Sequence, residues 1–178
     1  MEYILFDLET TCWDDSPPTE IREIIEIGAI KLNEFGTYIS KFESFVKPLH
    51  FPFLSPFCLQ LTQISQVEIN KAQEFSLVAR EFKRWIGDEE YWLCAWGAQD
   101  RRQLVRECLL HQLEYDWVEP YLDIKKQYHL IRKHPRYFGL KSSLVKEGFE
   151  FEGTHHRALD DTLNMMKIFV KYIDLWSL

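Results

Sequence analysis

The run Phe6-Asp7-Leu8-Glu9-Thr10-Thr11 puts two carboxylates two residues apart at the end of a short apolar stretch. On a strand, side chains at i and i+2 leave the same face, so Asp7 and Glu9 aim at one point. Two like charges that close need a cation between them, and hard divalent ions such as Mg²⁺ or Mn²⁺ prefer oxygen ligands. An Asp-x-Glu at a strand end is a solvated turn far more often than a metal site, so the pair gains meaning only in company. A third acid, Asp100, comes just after the apolar run Tyr91 to Trp96, in the first turn of the helix that follows. There a sheet end presents functional groups, although a lone Asp100 would equally serve the helix N-terminus.

His155-His156-Arg157-Ala158-Leu159-Asp160-Asp161 then opens the final helix with titratable bases next to acids. Helical periodicity separates the two aspartates. Asp160 shares its stripe with Asn164, Lys167 and Lys171, whereas Asp161 shares its stripe with Met165, Ile168 and Tyr172. Asp161 is therefore expected to face the body of the fold, and Asp160 to be a solvated first-turn acid.

The elements that must hold these residues follow from the apolar pattern. Tyr3 to Leu8, Ile24 to Leu32 and Tyr38 to Val46 read as three strands of an antiparallel meander. Turn formers separate them at Asp14 to Thr19 and at Asn33 to Thr37. Pro48, Pro52 and Pro56 break up a loop, after which Phe75, Val78, Ala79, Phe82, Trp85 and Ile86 recur at helical spacing up to Gly87. Tyr91 to Trp96 reads as a fourth strand feeding a helix whose one side carries Asp100, Leu104, Cys108 and His111. A fifth strand is predicted within Trp117 to Leu122, with short helices around Ile124 to Ile131 and Leu140 to Lys146, and a last helix from Arg157 to Leu175. A meander followed by strands alternating with helices makes an α/β fold, a mixed five-stranded sheet with helices packed on it.

Composition agrees. The chain has 178 residues, 46% hydrophobic, 15% aromatic and 28% charged, enough apolar surface for one core and unlike a disordered or fibrous chain. One domain over residues 1–178 is expected. No apolar run approaches the roughly 18 to 20 residues of a membrane span, and the first residues lack a basic stretch of signal-peptide type, so no membrane association and a cytoplasmic location are expected. Cys12, Cys58, Cys94 and Cys108 are too widely spaced for a zinc motif and are read as reduced, mostly buried thiols. The formal net charge of −7 has the wrong sign for gripping nucleic acid by bulk charge, so a polyanionic partner needs a local basic patch or bound cations.

Taken in order, Asp7 and Glu9, then Asp100, then His156 with Asp161 five positions on resemble the DEDDh branch of the 3′→5′ exonucleases of the DnaQ-like superfamily. The match is best to the Eri-like (enhanced-RNAi) group. It is carried by Asp7-Leu8-Glu9-Thr10-Thr11-Cys12-Trp13, Glu23-Ile24-Ile25-Glu26-Ile27-Gly28, Leu54-Ser55-Pro56-Phe57-Cys58 with Leu61-Thr62, Trp96-Gly97 before Asp100, and His155-His156-Arg157 before Asp160-Asp161. Five separated motifs in order span nearly the whole chain. Ala98-Gln99 before Asp100 departs from the usual, more polar or bulkier pair.

The resemblance implies an RNase H-like fold, a single exonuclease domain and removal of nucleoside 5′-monophosphates from 3′ ends by a two-metal mechanism. Asp7, Glu9, Asp100 and Asp161 would hold two Mg²⁺ or Mn²⁺ ions. His156 would be the general base, because a neutral imidazole with an ordinary pKa near about 6.5 accepts a proton near neutral pH; His155 is the lesser alternative. By the same resemblance Glu9 is catalytic and, with the Thr10 backbone, contacts the terminal 3′ hydroxyl and sugar. Leu8, Trp96, Trp13 and His156 are candidates for the terminal nucleotide, by stacking or apolar contact. A core role suits Trp96 equally well, and Leu8 would reach a base only if the strand bends.

Lys125 to Lys146 holds seven basic residues and no Asp or Glu. This segment, Lys141 in particular, together with Arg157 would track phosphates upstream of the cleaved end, or else form a solvated helical face. The expected partner is nucleic acid with a 3′ end, single-stranded RNA by resemblance. The alternatives are a DNA-directed exonuclease of the same motif and a non-catalytic binding module of the same fold. A glycosidase using Asp7 and Glu9 would leave Asp100, His156 and Asp161 unexplained.

Overall fold

The computed structural model describes residues 1–14 and 21–178. The turn expected over Asp14 to Thr19 falls, from residue 15 onward, outside the described residues.

The three apolar runs form β1 (Glu2–Thr10), β2 (Ile24–Asn33) and β3 (Tyr38–Lys47). They pair as the expected antiparallel meander, with Asp7 opposite Gly28 and Glu9 opposite Glu26. At the β2–β3 turn the Asn33 side chain accepts from the Phe35 and Thr37 amides. Two further strands lie parallel to their neighbours: β5 (Tyr91–Ala95) pairs with β1, and β6 (Tyr121–Asp123) pairs with β5. The two-residue β4 (Gln73–Glu74) pairs with the end of β3, so among the described residues the sheet has six strands in the order β4-β3-β2-β1-β5-β6. Two residues cannot show an alternating pattern, and so the sequence suggests only five strands. The fifth expected strand is also displaced: Asp116–Val118 is a 3₁₀ turn that buries Trp117 and Val118, and pairing begins only at Tyr121.

In the proline-rich loop the caps outweigh the breakers. Ser55 accepts from the Cys58 amide ahead of Pro56 to start α1 (Pro56–Thr62), and a Ser65–Glu68 capping box starts α2 (Gln66–Lys71). The remaining helices are α3 (Phe75–Ile86), α4 (Gln99–Leu110), α5 (Ile124–Ile131), α6 (Leu140–Lys146) and α7 (Ala158–Lys171). The last stops earlier than expected, because Trp176 folds back to donate its indole N–H to the Phe169 carbonyl.

The sheet is covered on both faces. Ile4, Phe6 and Leu8 pack with Phe75, Val78 and Phe82 of α3 and Leu104 and Cys108 of α4. Tyr3 and Leu5 pack on the opposite side with Tyr128 of α5, Leu144 of α6 and Met165, Ile168 and Phe169 of α7. Strand alternation therefore turns Asp7 and Glu9 toward the α7 layer. Among the described residues no helix is long and apolar enough to cross a membrane.

Candidate active site

At the C-terminal end of β1 one carboxylate oxygen from each of Asp7, Glu9 and Asp161 lies within 4.8 Å of the others. Asp7 is half-buried, while Glu9 and Asp161 are buried. Asp100, at the start of α4 on the opposite layer, turns its carboxylate back to accept the Leu8 main-chain N–H, and its charge is felt by both Asp7 and Glu9. Asp100 thus borders the same corner from α4 without joining the three carboxylates that lie within 4.8 Å of one another.

Burial and mutual repulsion raise all four acids. Asp7 lies well above the carboxylate range, through burial first and then the charges of Asp100 and Glu9. Burial followed by the Asp161 and Glu26 charges pushes Glu9 up to about 9. Asp100 is raised by burial to about 7, the Leu8 amide opposing the rise. Asp161 reaches about 6 because burial outweighs the hydrogen bond from the His156 amide. A cluster of oxygen donors this strained by like charge fits hard divalent cations, which would turn the repulsion into coordination.

What carries Asp161 to β1 is the seat of α7 on β2. Gly28 has no side chain, and a Cβ there would stand 2.1 Å from the Leu159 amide nitrogen. Glu26, fully buried, accepts from the Ala158 amide at 2.9 Å and takes the Arg157 guanidinium at 2.9 and 3.1 Å. Thr162 adds an O–H bond to the Gly28 carbonyl at 3.1 Å. Glu26 and Gly28 therefore act as positioning residues for the site. Their signal in the sequence is a charge and a glycine inside the β-branched run Ile24 to Ile30, where a buried charge requires a partner.

His155 and His156 stand at the mouth of the cluster with ring centroids 3.9 Å apart. His156 has φ +67°, a left-handed turn that aims its amide at Asp161 Oδ2, 2.8 Å away. The imidazole nearest Asp161 is that of His155, with Nε2 3.7 Å from Oδ1. Burial lowers the pKa of both rings. For His156 the neighbouring His155 lowers it further, against the pull of Asp161.

The other residues singled out from the sequence have varied surroundings. Leu8 is buried in the core beneath α3 and α4, its side chain turned away from the carboxylates; the ladder irregularity falls one step later, between Glu9 and Thr10. Trp96 packs on Tyr128 and donates to the Phe138 carbonyl at 3.3 Å. Arg157 is held by Glu26 with Glu43 beside it, so its charge is spent inside the protein. Lys141 is exposed and lines an open groove of about 770 Å³ with Gln63, Phe149, Phe151, Thr154 and His155. Asp160 is not a free solvated acid: it is half-buried and accepts from the Thr154 amide at 2.8 Å, pressed against Gly153. Asn164, on the same stripe, is buried and bridges Glu152 to the Asp160 carbonyl. The segment over residues 150–154 covers that face of α7, which a stripe drawn on an isolated helix does not reveal.

Beside Glu9, Cys58 of α1 meets Cys12, which follows β1. The Cys12 thiol donates to Cys58 and holds its pKa down to about 7, while the same contact and burial push Cys12 up.

A mixed sheet with a leading meander and a buried carboxylate cluster at the end of β1 defines an RNase H-like nuclease. The chain belongs to the exonuclease family whose model, RNase T, matches residues 4–169. It is 31% identical to human ERI1 exoribonuclease 2 over 186 aligned residues, covering 90% of this chain and 27% of that protein. Against human 3′-5′ exoribonuclease 1 it is 31% identical over 183 residues, covering 97% of this chain and 52% of the relative. The solved nuclease domain of 3′hExo, a DEDDh family member bound to rAMP, superposes with a TM-score of 0.90 at 30% identity, covering 97% of this chain and 92% of that one. The chain thus spans between about a quarter and a half of the length of these two curated relatives.

Proposed function

We propose that this protein is a divalent-metal-dependent 3′→5′ exonuclease that removes nucleoside 5′-monophosphates from the 3′ end of single-stranded RNA. The observation that carries the proposal is the convergence of Asp7, Glu9 and Asp161 with Asp100 beside two imidazoles, in a chain of the exonuclease family. The choice of RNA rests on the relatives, two of which are called exoribonucleases and one of which is described as bound to rAMP.

Asp7, Glu9, Asp100 and Asp161 are the residues that would hold two Mg²⁺ or Mn²⁺ ions. When bound, such ions acidify water and stabilise negative charge on the phosphate oxygens during in-line displacement. His156 serves as general base: its depressed pKa keeps the ring neutral near pH 7, able to accept the proton of the attacking water at a ring nitrogen. Glu9 and the Thr10 backbone, at the bulged end of β1, would receive the terminal sugar and its 3′ hydroxyl. Lys141 and Phe151, beside His155 in the open groove, supply a cation and a ring for the nucleotide upstream.

The test is a time course with 5′-labelled single-stranded RNA and the matching DNA, each with Mg²⁺, Mn²⁺ or EDTA, resolved to single nucleotides. A metal-dependent ladder shortening from the 3′ end, faster on RNA, is the expected result. Faster degradation of DNA would reassign the substrate, and retention of both strands uncut would make the protein a binding module.

A further inference from the structure

Two thiols meet where β1 leaves the carboxylate cluster. Cys12 lies in the segment after β1, and Cys58 in the first turn of α1. Their side chains are hydrogen-bonded to each other, and Cys58 Sγ also lies 3.7 Å from the Thr10 carbonyl oxygen. Ser55 fixes both residues, its Oγ donating to the Cys12 carbonyl at 2.6 Å and accepting from the Cys58 amide at 3.0 Å. Cys58 is fully buried and Cys12 half-buried, so Cys12 is the more accessible of the two. Cys94 and Cys108 are buried in separate core clusters on opposite faces of the sheet.

We propose that Cys12 and Cys58 form a reversible redox site whose disulfide shuts down the neighbouring carboxylate site. Its effect on RNA rests on the exonuclease function proposed above. With a peroxide as oxidant, Cys12 passes its proton to Cys58 along their hydrogen bond and attacks the O–O bond, which breaks to leave a Cys12 sulfenic acid and a hydroxide that takes the proton from Cys58 and leaves as water. The Cys58 thiolate then attacks the sulfenic sulfur; the S–S bond forms, the S–O bond breaks, and the oxygen leaves as a second water. Two electrons pass from the two thiols to the peroxide, and a dithiol returns them.

The physical lever is distance. A disulfide draws its sulfurs to about 2.05 Å and its Cβ atoms to about 3.8 Å, closer than two hydrogen-bonded thiols. That pull acts on the Thr10–Cys12 segment, next to the bulge between Glu9 and Thr10 where β1 is least constrained by its ladder. Moving the Glu9 carboxylate and Thr10 backbone by about 1 Å would cost on the order of a hundredfold in rate.

The experiment treats the full chain with hydrogen peroxide, then with dithiothreitol, and compares it with Cys12→Ser and Cys58→Ala. The expected result is a peptide pair joining Cys12 to Cys58 by mass spectrometry and a rate on 5′-labelled RNA reduced at least about tenfold, restored by dithiothreitol. Cys12→Ser should match the reduced protein and ignore the oxidant, and it suffices if Cys58→Ala does not fold. Absence of the linked pair, a linked protein with an unchanged rate, or an equal loss in Cys12→Ser would each overturn the proposal. If the reduced protein leaves both RNA and the matching DNA intact, the exonuclease function fails, and the switch is then judged by the rise in Tm that Mn²⁺ produces. That rise should shrink on oxidation, and an unchanged rise overturns the redox site.

Discussion

Gly28 and Leu159 stand backbone against backbone: the position a Cβ of Gly28 would take is 2.1 Å from the Leu159 amide nitrogen and 2.6 Å from its Cα. This contact presses the first turn of α7 onto β2 and sets Asp161 beside Asp7, the residue paired with Gly28 across the ladder. The obstruction is backbone on both sides, so no side-chain rotation relieves it. Gly28→Ala should lower stability by about 3 kcal/mol, at the upper end of overpacking costs. Nuclease activity should fall further than stability alone explains, because α7 must lift. Urea denaturation beside the RNA assay would check both, and an active variant of normal stability would contradict this role for the glycine.

The Arg157–Glu26 pair joins a fully buried carboxylate to a mostly covered guanidinium. Arg157→Ala strips the buried Glu26 carboxylate, near Asp7 and Glu9, of its guanidinium partner and should cost about 3 kcal/mol. Replacing both members with apolar residues, Glu26→Leu with Arg157→Met, should recover part of that loss. Thermal unfolding of the single and double variants measures the difference. An Arg157→Ala protein of unchanged stability but weaker RNA binding would instead make Arg157 a phosphate contact.

The four site acids titrate above their ordinary range in the folded chain. An acid whose pKa rises on folding binds its proton more tightly when folded, so its contribution is favourable below the unfolded pKa near about 4 and is lost as pH rises. With EDTA present, Tm should therefore decline from pH 5 toward pH 9, through the windows of Asp161 near about 6, Asp100 near about 7 and Glu9 near about 9. Mg²⁺ or Mn²⁺ should restore stability, by a larger increment at pH 8 than at pH 5, because protons and cations compete for the same oxygens. Differential scanning fluorimetry across pH tests this, and a metal increment independent of pH would argue against carboxylate binding.

Asp160 and Asp161 should separate cleanly. Asp161→Asn is expected to reduce RNA turnover at least about a hundredfold with the fold intact, since it removes charge from the point where it is needed. Asp160→Asn should leave activity within a few-fold and lower Tm, because Asp160 holds the Thr154 amide rather than the site. The reverse pattern would place the wrong aspartate in the cluster.

For the histidines, His156→Ala should lower the rate by about 10²–10⁴-fold, the range of a lost general base, while the Tm rise with Mn²⁺ persists. His155→Ala should cost less. If His155→Ala proves the more damaging, the proximity of its Nε2 to Asp161 has functional weight and the base is reassigned.

Much of this site is legible along the chain. Strand alternation puts Asp7 and Glu9 on one face, and helical period picks Asp161 over Asp160, because both depend only on local geometry. The same local rules fail where packing decides. Asp160 and Asn164 lie on a polar stripe, yet the segment over 150–154 covers them. Arg157 looks like a phosphate contact until Glu26 is found beneath it, more than a hundred residues away in sequence. Leu8 and Trp96, both candidate base contacts, are held by the two cores.

The meander, the acids and their order, and the resemblance that joins them can all be read along the chain, because residue type and period are properties of short segments. That Gly28 and Glu26 seat α7, that Asp100 reaches toward the same corner from the other layer, and that Cys12 and Cys58 share a hydrogen bond emerge only once the chain is folded. Each of these is a contact between segments far apart in the chain, fixed by which surfaces the two cores press together, and no local pattern encodes such a distance.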